Sequence, residues 1–246
     1  MTSARVGTPL NRSVARAARL LALFTPDQPE LTLAEITLRL GTTKATTHRY
    51  ALALRHAGLL RHDPASGSYT LGPRIVELAA SALAGLRIVK IAGPHMERLV
   101  SRANETVVLS VWDGESPVVV RADDNTDRIA RIVVRGGTRL PPDSAQGKIF
   151  EAYGAEARPS SLRGGELAAI RATRIAVTSR VQQGIRAIAT PVFQHTELAA
   201  AMAIVGTTAS VPEDPRSSVA DALRETAEDL STELGGVPGH QSEGRP

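Results

Sequence analysis

The sequence predicts an α+β protein: an N-terminal winged helix-turn-helix, a linker helix, and a larger domain in which helices pack around an antiparallel-type sheet. Three observations carry this. Residues 32–71 run through two short helical patterns and a hairpin pattern in one order at short spacing. Positive charge sits at the front: residues 1–90 hold 12 Lys+Arg and 5 Asp+Glu, giving +7, whereas residues 91–246 hold 17 and 20, giving −3. From Thr106 onward, Val-, Ile- and Ala-rich runs separated by turn residues read as strands between amphipathic helical segments.

Residues 1–10 read as a disordered lead-in. Asn11 or Ser13 can cap a first helix over about 13–25, with Val14, Ala17, Ala18 and Leu21 as its buried stripe and Leu20 and Phe24 close by. Pro26 and Pro29 end it. Leu33, Ile36 and Leu40 recur at helical spacing, and Gly41 stops that helix because glycine tolerates the left-handed turn that follows. Thr42 or Thr43 caps a second helix to about Ala57. Thr46, Tyr50, Ala53, Leu54 and Ala57 are expected on its inner side, with Lys44, Thr47, His48 and Arg49 exposed on its first turns. Leu59–Leu60 opens a strand, Ser66–Gly67 is a turn pair, and Tyr69–Leu71 is the partner strand. This unit, residues 11–72, suits DNA. The start of the second helix offers free N–H groups and a positive dipole end to phosphate, and its polar side chains reach base edges in the major groove. The hairpin tip, Arg61 to Ser68, would sit over the neighbouring backbone.

Gly72–Pro73 punctuates the chain, and residues 73–87 form the linker helix. Its apolar face, Ile75, Val76, Leu78, Ala79, Ala82 and Leu83, is broad enough to pack on more than its own domain. The second domain spans 88–236. A helix over about 88–103 places Ile88, Ile91, Met96, Leu99 and Val100 on its apolar positions. Strands are expected at Thr106–Trp112 (with Val107, Leu109 and Val111 facing one way), Val118–Arg121, Ile129–Val134, Gly184–Pro191 and Glu197–Val205, the last of them central. Helices are expected from near Ser144 to about Tyr153, over Glu166–Thr173, and from Pro212 to about Leu234. Residues 154–165 read as loop and 237–246 as a disordered tail. Domains of this kind hold a small molecule between sheet and loops.

The chain has no cysteine, so disulfides, thiolate metal sites and a cysteine nucleophile are excluded. No apolar run approaches the ~20 residues of a membrane helix, and the N-terminus lacks a signal-peptide core, so a cytoplasmic protein without membrane contact is expected. The six histidines, His48, His56, His62, His95, His195 and His240, have no metal-site spacing. Asp123, Asp124, Asn125 and Asp127 lack the alternation of a calcium loop, and Ser144 lacks a GxSxG elbow. No cofactor, metal or catalytic residue is expected. Two rival readings remain: a hydrolytic enzyme, opposed by the missing nucleophile–base pair, and a winged helix used for protein contact, opposed by the basic front third.

RSVARAARLLALF, LTLAEITLRLG, TTKATTHRYALAL, HAGLL and YTLGPRIVELA, followed by GGTRLPPDSAQGKIFEAYG and GIRAIATPVFQHTELAAAMAIVG, together resemble the IclR family of bacterial transcription regulators. The resemblance runs from about Arg12 to Leu234. It implies a dimer or dimer of dimers on a palindromic operator, with a winged domain on double-stranded DNA and a GAF-like domain holding a small-molecule effector.

By position, the resemblance puts Thr43, Lys44, Thr46, Thr47, His48 and Arg49 on DNA, Arg12 and Ser13 on phosphate, and the wing residues Arg61, Ser66 and Gly67 along the backbone. Arg49 is the strongest single candidate, its guanidinium holding phosphate bidentately. The implied effector pocket comprises Leu109, Val111, Val134, Ser144, Ala145, Gln146, Gly147, Ile185, Ala187, Ala203 and Val205. The sequence departs from the family pattern there. LPPDSAQGK is one residue short, Arg180 stands where an acidic residue is common, and Ala187, Ala203 and Val205 replace frequent Cys or Ser. Such a pocket is apolar and positive, which suits an anionic effector with an apolar or aromatic body whose acid group sits on the Ser144–Gly147 amides.

Overall fold

The computed structural model describes residues 11–124, 132–154, 162 and 164–235. The expected lead-in and tail lie outside these residues, as do most of the acidic loop and most of the 154–165 loop. The chain divides into two units, Met1–Ala82 and Leu83–Pro246, and the division falls inside the expected linker helix.

In the first unit, α1 (Arg12–Leu21) starts at Asn11, whose side chain accepts from the Ser13 and Val14 amides. It ends at Leu21, short of the expected 25; of the expected stripe Ala17 and Leu21 pack against the core that buries Leu20 and, beyond the helix, Phe24, whereas Val14 and Ala18 are exposed. A strand that the pattern did not announce, β1 (Glu30–Thr32), leads into α2 (Leu33–Leu40). Thr32 and Glu35 form a capping box: the Glu35 carboxylate accepts from the Thr32 amide at 2.7 Å and the Glu35 amide donates back to the Thr32 hydroxyl at 3.3 Å. Gly41 closes α2 at φ +60°, and Thr43 caps α3 (Lys44–His56) through the Thr46 amide. The strands β2 (Leu60–His62) and β3 (Ser68–Leu71) complete an antiparallel sheet in the order β1-β3-β2. Leu20, Phe24, Leu31, Ile36, Leu40, Ala51, Leu54, Leu60 and Tyr69 fill the core between helices and sheet.

Two local features fix the wing. Gly72 lies so close to the Gly58 carbonyl that an added Cβ would stand 2.1 Å from its oxygen. At the tip, the Asp63 carboxylate accepts from the Ser66 hydroxyl at 2.7 Å, the Ala65 amide at 3.0 Å and the Ser66 amide at 3.3 Å. Those donors, the Ser66 hydroxyl first, hold the Asp63 carboxyl below its ordinary value. The lowered value means that the ionised carboxylate stabilises the turn above the ordinary range and that this contribution is lost as pH falls through the lowered value. In an NMR titration Asp63 is expected to titrate below an unstructured aspartate, with the Ala65 and Ser66 amide resonances moving at the same midpoint, and Ser66→Ala is expected to raise it. An unshifted midpoint would contradict the turn's geometry.

The helix α4 (Pro73–Gly85) carries the chain from the first unit into the second. Every residue of its apolar face is at least partly exposed within the chain.

The second unit is a five-stranded antiparallel sheet in the order β5-β4-β8-β7-β6. Its strands are β4 (Thr106–Trp112), β5 (Pro117–Asp123), β6 (Ala176–Arg180), β7 (Ile185–Gln194) and β8 (Glu197–Thr207). β8 is central, as its apolar run predicts. Of the expected Ile129–Val134 strand, only 132–134 is described, and it is irregular. β6 is an addition to the sequence reading. Around the sheet lie α5 (Arg87–Ala103), α6 (Ala145–Tyr153), α7 (Gly164–Thr173) and α8 (Ser218–Glu233). Met96, Leu99, Leu223 and Leu230 from α5 and α8 bury one face with Val107, Leu109, Ile188, Met202 and Ile204. The opposite face takes α6 and α7 on Ala176, Ala189, Ala201 and Ala203, whose small side chains let the helices come close.

Candidate DNA interface and ligand cavity

The α3 surface divides sharply. Thr47, Ala51 and Leu54 point inward at i, i+4, i+7 spacing, and Thr47 is fully buried with its hydroxyl donating to the Thr43 carbonyl at 3.2 Å. This overturns two expectations. Thr47 cannot reach a base edge, and Ala53 and Ala57, expected inside, are exposed. The mainly alanine flank gave the helix phase little to register on. Lys44, His48 and Arg49 stand exposed on the outer side. Thr43 and Thr46 are joined by a hydroxyl–hydroxyl bond of 3.0 Å at the helix start. Arg12 and Ser13 are exposed at the start of α1, and Arg61 is exposed on β2. The Ser66 hydroxyl is engaged by Asp63 and Ser68, and Gly67 takes φ +68°, so these two shape the wing tip.

In the second unit a cavity of about 310 Å³ opens between the sheet and the start of α6. Register determines which side chains line it. Val108 lies opposite Ala203, and Ala187 opposite Val205, so even positions of β4 share a face with odd positions of β7 and β8. Val108, Ile185, Ala187 and Val205 form the floor, with Val134, Leu140 and Pro141 beside them. Seven of the expected pocket residues line it: Val134, Ser144, Ala145, Gln146, Ile185, Ala187 and Val205. Four do not. Leu109 and Val111 lie on the opposite face, packed with α5 and α8. Ala203 is sealed beneath α6. Gly147 is pressed against the preceding loop, where an added Cβ would lie 2.2 Å from the Pro142 carbonyl oxygen. The parity error has a plain cause: TVVLSVW is apolar on both faces and carries no alternation to read.

Ser144 caps α6 and its hydroxyl takes the Gly147 amide at 3.0 Å, while the Ser144 carbonyl takes the Lys148 amide at 2.9 Å. The Ala145 and Gln146 amides have no such partner among the described residues. The Lys148 ammonium is held by Glu166 at 2.7 Å and the Val177 carbonyl at 3.0 Å, and Thr178 on β6 donates to the Asp143 carbonyl at 2.9 Å, which fixes α6 against β6. Two arginines line the cavity. Arg139 is neutralised by Asp113 and Glu115, whereas exposed Arg180 has no acidic partner among the described residues. Nearby Arg186 is a structural contrast, its guanidinium spent on Ser179, the Thr208 and Val211 carbonyls and Glu213.

Among the described residues no cluster of three or more His, Asp and Glu could hold a metal, and no helix is long and apolar enough to cross a membrane. A winged helix with an exposed basic helix start, followed by an α+β unit with a largely apolar cavity, is the architecture of a DNA-binding regulator. Comparison places it. The IclR helix-turn-helix domain model matches residues 13–64, and the bacterial transcriptional regulator IclR C-terminal model matches 80–163 and 159–232. The chain belongs to the IclR family of transcriptional regulators. It is 28% identical to the DNA-binding transcriptional repressor YiaJ of Escherichia coli over 92% of this chain and 88% of that one. The crystal structure of an IclR regulator from Alicyclobacillus acidocaldarius is 26% identical, with a TM-score of 0.75 over 92% of this chain and 100% of that chain. An IclR homologue from Microbacterium hydrocarbonoxydans, crystallised with 4-hydroxybenzoate, shares the fold at a TM-score of 0.73 and 23% identity, over 91% and 99% of the two chains.

Proposed function

We propose that this regulator is a cytoplasmic homodimer, or dimer of dimers, that holds a palindromic operator through α3 and the wing, and that an anionic small molecule with an apolar body sets that hold from the cavity. The observation that carries the effector reading is the cavity's composition. Two unpartnered N–H groups at the start of α6 and an unpaired Arg180 meet a floor of Val108, Val134, Ile185, Ala187 and Val205, with Thr138, Thr178 and Gln183 elsewhere in the lining. An acid group takes the amides and the guanidinium, and a ring takes the floor. At about 310 Å³ the space suits a single ring, near the lower end of ligand pockets, and 4-hydroxybenzoate in the Microbacterium homologue is of that size. Calorimetric titration tests this: monocyclic aromatic acids are expected to bind and Arg180→Ala to weaken them, whereas binding confined to neutral sugars would contradict it.

The dimer reading rests on α4. Val76 is 70% exposed and Leu83 41% exposed, and neighbouring Leu78 also faces out. A second copy is the occupant that also supplies the second half-site reader, since two recognition helices must lie near a multiple of about 34 Å to dock together. The effector acts by favouring one spacing; a ligand indifferent to spacing would change nothing. Val76→Asp with Leu83→Asp is expected to give a monomer by sedimentation and to lose operator binding. A variant that stays dimeric would remove α4 from the interface.

A further inference from the structure

Gln146 is the residue the cavity reading leaves over. It is only 3% exposed, it lines the cavity, and its side-chain amide makes no hydrogen bond among the described residues. Its place in the fold explains this. It is the second residue of α6, so its backbone stays at the helix start, and the Ser144 hydroxyl that caps this helix is taken by the Gly147 amide. Its amide presents one acceptor and two donors, neither atom is sealed from solvent, and a ligand that strips water from them without replacing it loses free energy. None of the cavity's other polar side chains, Thr138, Arg139, Ser144, Thr178, Arg180 and Gln183, is hydrogen-bonded to it.

We infer that Gln146 is a specificity residue that requires the effector to carry a neutral hydrogen-bonding group, a hydroxyl or amide, in addition to its acid. This rests on the cavity being the effector site. The Gln146 carbonyl accepts the ligand's O–H or N–H and its NH₂ donates to the ligand's oxygen, while the Ala145 and Gln146 backbone amides receive the acid. Discrimination then comes from the analogue that lacks the group. It strips water from Gln146 and returns nothing, so the site rejects it more strongly than the bond alone would favour its partner.

The test titrates the full-length protein with benzoate and its three monohydroxy isomers, and with two neutral probes, benzyl alcohol and 4-hydroxybenzyl alcohol. Wild type and Gln146→Leu, which keeps the bulk and removes the amide, are compared after circular dichroism shows the fold of each. At least one hydroxybenzoate is expected to bind wild type about tenfold or more tighter than benzoate. Gln146→Leu is expected to erase that ratio while holding or improving benzoate affinity. Acids that bind without hydroxyl preference, or a preference unchanged in Gln146→Leu, would overturn the inference and leave the anionic reading standing. Binding of 4-hydroxybenzyl alcohol alone, lost in Gln146→Leu, would support Gln146 and overturn the anionic reading. Binding of none would overturn both.

Discussion

Lys44→Ala combined with Arg49→Ala is expected to weaken operator binding by at least about 100-fold. Each lost base-edge or bidentate phosphate contact is worth roughly 1–3 kcal/mol, and the two residues sit on the one exposed surface of the helix start. The variant is expected to fold normally. Both side chains are exposed, and neither has an ion-pair partner among the described residues, so stability should move by no more than about 0.5 kcal/mol. The salt dependence discriminates further. Lost phosphate contacts flatten the plot of log affinity against log salt, by about 0.9 per phosphate, as fewer counterions are released. Titrations between low and moderate salt, with circular dichroism as the fold control, check both parts. Unchanged promoter occupancy in the folded double variant would remove α3 from the interface. An affinity indifferent to salt would favour a winged helix that binds protein.

Gly147→Ala is expected to destabilise the second unit by roughly 3 kcal/mol, against the direction that helix propensity alone gives. A glycine-to-alanine change in a helix usually gains stability by about 1 kcal/mol. Here the new Cβ would stand 2.2 Å from the Pro142 oxygen, 2.7 Å from the Pro142 carbonyl carbon and 2.9 Å from the Pro141 oxygen. These are backbone atoms of the loop that walls the cavity and cannot rotate away as a side chain can. Either the loop or α6 must shift, and the Ala145 and Gln146 amides shift with it. Urea unfolding followed by the fluorescence of Trp112, the one tryptophan, reads this unit directly. A variant as stable as wild type would show that the loop does not press on the helix.

What could be read from the residues was whatever is decided locally. Gly41 stops α2, and a threonine at 42 or 43 caps α3, because a left-handed turn and an orphan amide each demand a short list of residues; the structure selects Thr43, and it places the cap of α6 at Ser144, where that helix is expected to begin. β8 is central because ELAAAMAIVGT is apolar on both sides. The misread residues are those decided by a neighbour. Leu109 and Val108 are equally apolar, and only pairing with β8 shows that Val108 faces the cavity. Thr47 reads as a polar surface residue until its hydroxyl is seen satisfied by the turn before it. β6 is a short, half-exposed edge strand whose VTSR has little β pattern of its own and is held by β7 and by Thr178. Gln146 was legible as a pocket residue, but its lack of a partner is a fact about everything around it.

The account's central claim is that the two units share one free-energy balance. The direct measurement is operator affinity with and without a saturating aromatic acid, set beside the affinity of that acid with and without saturating operator. Linkage requires the two ratios to be equal, and the account predicts a common factor clearly different from one. That factor should collapse to one in Arg180→Ala at acid concentrations that no longer fill the cavity. An acid that binds the cavity tightly while both ratios stay at one would contradict it.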